Sequence, residues 1–191
     1  MKILIVNNKG QYNHRIKRAL DYLKIPSELV PNNLSIKEIE DKNPKGLILG
    51  GGPSIDESGN SEDYIKHFNV PILGICLGHQ LIAKAFGGQI RTSPSESYAK
   101  VKIKILNSAN LFENLDSTME VWSSHKDEVE IIPDEFEIIA NSTLCDVESF
   151  KHNTLDIYGI QFHPEVHHTP QGSIIFENFN KICDNNLKVK K

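Results

Sequence analysis

The chain reads as an α/β protein. We expect an open, mostly parallel sheet with helices on both faces and a nucleophile elbow. A small, partly antiparallel, strand-rich part should follow in the second half. Three observations carry this. The runs at residues 3–6 (Ile-Leu-Ile-Val) and 47–49 (Leu-Ile-Leu) are short and wholly apolar, as strands buried on both faces require. Helical stripes lie between such runs, and strands alternating with helices imply βαβ units. Later the pattern turns to strict alternation, as in Lys100-Val101-Lys102-Ile103-Lys104-Ile105, which marks a half-exposed strand.

In chain order, residues 3–6 make the first strand and residues 7–13 a polar loop. Ile16, Ala19, Leu20 and Leu23 share one helical face, which stops before Pro26. Residues 27–30 form a short strand. Ser35-Ile36-Lys37-Glu38 carries the capping-box pattern and opens a short helix. The strand at 47–49 runs straight into Gly50-Gly51-Gly52-Pro53-Ser54, and residues 61–68 are helical. A strand from Val70 switches to a helix marked by Leu81, Ile82, Ala85 and Phe86, closing at Gly87-Gly88. Short strands with turns between are expected at 100–105, 119–122, 128–132 and 136–140. A strand at 158–162 leads into His163-Pro164-Glu165, and residues 173–183 make a closing helix. The basic tail at 188–191 is expected to fray.

Length and composition bound the function. A chain of 191 residues is expected to form a single domain over 1–191. Hydrophobic content of 39% and charged content of 24% are those of an ordinary soluble protein. A net charge of −4 argues against a general nucleic-acid-binding surface. No apolar run reaches membrane-spanning length, and the opening residues turn polar too soon for a signal peptide. Three scattered cysteines make no disulfide framework and suit a reducing compartment, so a cytoplasmic protein is expected.

Chemistry concentrates at three places. Gly74-Ile75-Cys76-Leu77-Gly78 is a thiol version of the glycine-flanked elbow. A side chain on so sharp a strand-to-helix turn is crowded by both elements, which favours glycine beside it. The turn also sets the sulfur at a helix N-terminus, where the dipole favours a thiolate. Against this, a free cysteine in an apolar run is commonly a small buried hydrophobe. The triple glycine at 50–52 suits a backbone anion hole or a plain flexible loop, and no Gly-Lys-Ser/Thr follows to make it a phosphate loop. In His163-Pro164-Glu165, residues two apart in an extended segment share a side, so His163 and Glu165 should project together. That suits a Cys–His–Glu relay. The same segment, with His167 and His168, also reads as a metal cluster or a polar strand end. Ser124-His125-Lys126-Asp127 reads as a polar turn or a substrate-facing loop. Cys145 and Cys183 lack an elbow and a nearby base, and read as structural.

Taken together, Gly74-Ile75-Cys76-Leu77-Gly78-His79-Gln80 and Gln161-Phe162-His163-Pro164-Glu165 resemble the signature of class I (triad-type) glutamine amidotransferases. Within that class, 124–129 (Ser-His-Lys-Asp-Glu-Val) and His163-Pro164-Glu165-Val166 with His168, Thr169 and Gly172 are similar to the glutaminase part of GMP synthases. The resemblance implies Cys76 as nucleophile, His163 as base and Glu165 as its support. It implies an oxyanion hole from the N–H groups of Gly52 and Leu77, and L-glutamine bound with the help of Gln80, Ser124, His125, Lys126 and Asp127. No metal and no cofactor of the chain's own are implied. Neither a Ser-Gly-Gly-Val-Asp-Ser loop nor the length for an ATP-pyrophosphatase domain is present. The implied partner is therefore a separate synthetase subunit that uses ATP and Mg²⁺ to convert XMP to GMP. A glutaminase subunit for another acceptor such as chorismate, a cysteine hydrolase on the same scaffold, and an inactive regulatory module stand as alternatives.

Overall fold

A computed structural model describes the backbone of residues 1–189, and the side chains of all of these but 95–97. The first apolar run is strand β1 (Ile3–Asn7). Helix α1 (Asn13–Tyr22), strand β2 (Ser27–Pro31) and helix α2 (Ile36–Asp41) follow. α2 starts at a full capping box: Ser35 Oγ accepts from Glu38 N–H, and the Glu38 carboxylate accepts from Ser35 N–H at 2.7 Å. Strand β3 (Gly46–Leu49), helix α3 (Ser61–His67), strand β4 (Ile72–Ile75) and helix α4 (Leu77–Ala85) complete the first half. Strands β5 (Gln89–Ile105), β6 (Thr118–Ile131), β7 (Phe136–Asn141), β8 (Ser149–His152) and β9 (Ile157–Ile160) come next. Helix α5 (Gly172–Val189) closes the described chain. Lys190 and Lys191, the end of the basic tail, lie outside the described residues.

All nine strands share one sheet, in the order β2-β1-β3-β4-β9-β8-β7-β5-β6. β1 pairs in parallel with β2 and β3, β3 with β4, and β4 with β9. From β9 through β8, β7 and β5 to β6 every pairing is antiparallel. The parallel part is buried on both faces by the period of two along a strand. Ile3 and Ile5 join Ile16, Leu20, Phe176 and Phe179 on the side of α1 and α5. Leu4 and Val6 join Ile39, Tyr64, Leu81 and Ile82 on the side of α2, α3 and α4. No helix among the described residues is long and apolar enough to cross a membrane.

Two expectations need correction. Residues 119–122 and 128–132 are not separate strands with a turn between. They belong to β6, which pairs with β5 on both sides of a bulge in the polar stretch, Tyr98 with Ser124 and Thr92 with Asp127. The ladder overrides the polar composition because burial alternates along it, with Ser123 and His125 turned inward. The strand expected at 158–162 ends at Ile160. Gln161 N–H donates to Glu148 O instead, and His163 turns to bridge Trp122 of β6.

The elbow is packed to the limit. A Cβ on Gly78 would lie deep inside contact of the Leu49 carbonyl, and one on Gly74 would do the same to Gly78. Overpacking of this kind costs about 1–3 kcal/mol. Gly78→Ala is therefore expected to lower the unfolding free energy measured in urea by that amount.

Candidate active site

Cys76 links β4 to α4 with φ 54° and ψ −104°. A non-glycine residue at positive φ with such a ψ costs about 1–3 kcal/mol and persists only where its surroundings over-determine it. Here they do. Cys76 N–H donates to Ile160 O at 2.9 Å, its carbonyl accepts from Gln80 N–H at 3.2 Å, and glycines pack on either side. The side chain is 7% exposed, and Sγ lies 3.7 Å from the carbonyl oxygen of Ser124. Leu77 is the first residue of α4, so its N–H has no acceptor within the helix.

The β4–β9 pairing explains how a base from 87 positions along the chain reaches this thiol (163 − 76). Ile75 and Ile160 are register partners, so Cys76 and the segment leading to His163 leave adjacent strand ends side by side. His163 Nδ1 is 2.7 Å from Glu165 Oε1 in a buried pair, which leaves the other ring nitrogen for Cys76. Contact between these residues survives a change of geometry: they sit on a bridge and a turn, not on an extended run. The ring edge of Tyr12 stands against the His163 ring at 4.9 Å. Burial opposes a charge on His163, but the Glu165 carboxylate and the Cys76 sulfur overcome it and hold its pKa well above the ordinary value. The pair is built to hold an imidazolium against a sulfur.

Gly51 is the floor beneath both groups. A Cβ there would stand 3.5 Å from His163 Cε1 and 3.7 Å from Cys76 Cβ. The glycine loop is tied back by its carbonyls: Asn8 Nδ2 donates to Gly50 O, while Asn13 Nδ2 and Gly10 N–H donate to Gly51 O, each at 3.0 Å. Gly52 lies against Asn8 O and the Leu77 side chain, where a Cβ would clash. Gly52 and Leu77 thus meet on the wall of a cavity of about 340 Å³ that also holds Cys76 and His163. That volume suits a ligand of amino-acid size.

Gln80, Ser124, His125, Lys126 and Asp127 all line this cavity. Gln80 Nε2 donates to Asp127 O at 2.7 Å and to Gln161 Oε1 at 3.3 Å, so what it offers a ligand is its carbonyl oxygen. Ser124 presents its backbone carbonyl to the thiol. The buried His125 ring bonds Asp127 O at 3.0 Å, and burial pushes its pKa down despite the nearby carboxylates. The Asp127 carboxylate accepts from Thr92 Oγ1 at 3.0 Å. Gln80 stands on α4, whereas Ser124, His125, Lys126 and Asp127 stand on the β6 strand and not on a loop. Opposite them, β5 spends five positions, from Thr92 to Ser97, against two of β6, from Asp127 to His125, and this bulge precedes Tyr98 on the cavity rim. Bulges re-aim side chains next to active sites.

Of the metal alternative, His163 is engaged with Glu165 and Cys76, while His168 stacks on Trp122 at 4.8 Å. Among the described residues no group of three or more His, Cys, Asp or Glu is placed to hold a metal. Cys145 and Cys183 are free and buried, and burial pushes both thiols well above the usual range.

Several residues of the site carry no motif of their own. Asn8, Asn13 and Tyr12 follow β1, at the strand end where open α/β sheets bind ligands, and that position is the available signal. Gln161 does stand in the 161–165 motif, but it reads from sequence as part of a strand. Its Oε1 accepts from Gln80 and lies 3.3 Å from His79 Nδ1, tying the nucleophile helix to the base segment. Burial lowers the His79 pKa to about 3, so its ring is neutral.

Known proteins resemble the chain over nearly its whole length. A family model described as "Glutamine amidotransferase class-I" matches residues 4–182. The chain is 76% identical over 183 residues to a protein of Methanobrevibacter smithii named as a subunit of glutamine-hydrolyzing GMP synthase, covering 96% of each. It is 58% identical over 181 residues to the protein of that name from Methanothermobacter thermautotrophicus, covering 95% of this chain and 97% of the other. A crystal structure of a candidate GMP synthase subunit from Thermoplasma acidophilum superposes with a TM-score of 0.93 at 39% identity, covering 100% of this chain and 97% of that one.

Glu165 is the main attraction that raises His163 against burial. Glu165→Gln should therefore bring the His163 titration, followed by NMR of the imidazole ring, down toward or below its ordinary value. An unmoved titration would contradict the assignment of that charge.

Proposed function

The chain belongs to the glutamine amidotransferase class-I family, and within it we propose that the chain is the glutaminase subunit of a GMP synthase. The observation that carries this reading is the convergence of Cys76, His163 and Glu165 in a cavity of amino-acid size, beside two backbone N–H groups. The Cys76 thiolate attacks the side-chain amide carbon of L-glutamine. The oxyanion forms against Gly52 and Leu77 N–H, where losing one such donor typically costs about 3 kcal/mol of barrier. His163 gives its proton to the leaving ammonia, and a glutamyl thioester remains on Cys76. His163, now neutral, takes a proton from water, which attacks the thioester and releases glutamate. Glu165 keeps His163 in the orientation and tautomer both steps need. The Gln80 carbonyl and the 124–127 wall hold the amino-acid end of the substrate.

Ammonia in water near neutral pH is mostly ammonium, which cannot attack an electrophile. Its use therefore depends on delivery within a complex. The partner is a separate synthetase subunit that activates XMP with ATP and Mg²⁺ and receives the ammonia to make GMP. That the relatives are each named as one subunit of the enzyme supports a multi-subunit assembly.

Glutamate release by the chain alone should be low and should rise strongly when the synthetase subunit, ATP, Mg²⁺ and XMP are added together. Cys76→Ala should abolish both rates. Turnover that depends on Cys76 but ignores this partner would keep the glutaminase and reopen the acceptor.

A further inference from the structure

The base sits on a segment with little regular structure. Between Ile160, where β9 ends, and Gly172, where α5 begins, one isolated antiparallel bridge holds it, from His163 to Trp122 of β6. Residues bonded across such a pair normally exchange both N–H···O bonds. Here one bond is direct: His163 N–H donates to Trp122 O at 3.0 Å. The return bond is routed through a side chain. Trp122 N–H donates to Thr169 Oγ1 at 3.0 Å, and that hydroxyl donates to His163 O at 2.6 Å.

We propose that Thr169 is a positioning residue for the base: its hydroxyl, inserted into the ladder between Trp122 and His163, fixes the His163 imidazole relative to the Cys76 thiol. The inference rests on the glutaminase reading above. A hydroxyl fits because it accepts and donates at once. The group is 3% exposed, so water does not readily replace it. Its backbone is fixed in turn: Thr169 N–H donates to Val166 O and Gly172 N–H to Thr169 O, both at 3.0 Å. Gly172 lies so close to the Pro164 carbonyl that no Cβ fits. The 163–172 segment thus closes on itself, and the Thr169 hydroxyl is its second tie to the sheet, beside the His163 N–H bond to Trp122 O. Two residues beyond Trp122 on β6 stands Ser124, whose carbonyl faces the thiol. The hydroxyl therefore sets the base in register with the cavity wall that the nucleophile touches. Reacting groups displaced by about 1 Å can lose on the order of 100-fold in rate.

The test compares Thr169→Val, which keeps the shape and removes the hydroxyl, with Thr169→Ser, which keeps the hydroxyl. In Thr169→Val, kcat for glutamine hydrolysis should fall about 10- to 100-fold with KM little changed. The alkaline limb of its pH profile, and the His163 titration seen by NMR, should move to lower pH, because the imidazole stays buried while its hold on Glu165 and Cys76 loosens. Thr169→Ser should stay near wild type in all three. If Thr169→Val does not fold, Thr169→Ala is read in the same way. A wild-type kcat and unmoved titration in the folded valine or alanine variant would overturn the proposal, as would an equal loss in Thr169→Ser. All rates are read with the synthetase subunit, ATP, Mg²⁺ and XMP present; if wild-type protein fails to hydrolyse glutamine even then, the glutaminase reading falls, and the NMR titration alone still decides the role of Thr169.

Discussion

The backbone of Cys76, at φ 54° and ψ −104°, is the constraint on which the rest depends. An unconstrained chain would relax out of that conformation. It is held because Gly74 and Gly78 let β3, β4 and α4 approach too closely for any side chain, and because Ile160 O accepts the Cys76 N–H. The stored strain, about 1–3 kcal/mol, is offset by the burial of β4 and α4 around it. Ile72, Leu73, Ile75, Leu81 and Ile82 are all essentially inaccessible. In return, Cys76 stands at the start of a helix, and it and Leu77 line the same cavity.

Sheet order supplies the other half of the site. β3, β4 and β9 are neighbours and parallel, so their C-terminal ends lie together. The glycine loop, the nucleophile and the base segment leave from these ends. The loop after β1 adds Asn8 and Asn13, which pull the glycine carbonyls away from the cavity, and Tyr12, which packs on the His163 ring. The antiparallel half of the sheet is the opposing wall. It delivers Ser124, His125, Lys126 and Asp127 through the long β5–β6 ladder. The parallel half of the sheet thus carries Cys76 and leads to His163, and the antiparallel half shapes the space in front of them.

Much of this was legible in the sequence, for definite reasons. Doubly buried strands cannot carry polar residues, so β1, β3 and β4 appear as unbroken apolar runs. The capping box before α2 and the glycine pair around Cys76 each have one steric or hydrogen-bonding cause, and each appears where that cause acts. What could not be read was pairing at a distance. The polar residues at 123–128 resemble a turn, and only their alignment with β5 makes them strand. The bend after Ile160 leads to the bridge between His163 and Trp122, which no local pattern announces. The Asn8, Asn13 and Gln161 side chains act through contacts across 38 to 82 positions. Local chemistry therefore marked Cys76, His163 and Glu165, while the scaffold that brings them together became visible only in three dimensions.

The central claim is that Cys76 carries the substrate acyl group during turnover. The most direct measurement is rapid acid quench of the protein with glutamine, followed by peptide mass spectrometry. The account predicts one glutamyl group on the peptide containing Cys76, labile to hydroxylamine and absent from Cys76→Ala. Turnover with no acyl group on Cys76 in the wild-type protein, or turnover that survives in Cys76→Ala, would contradict it.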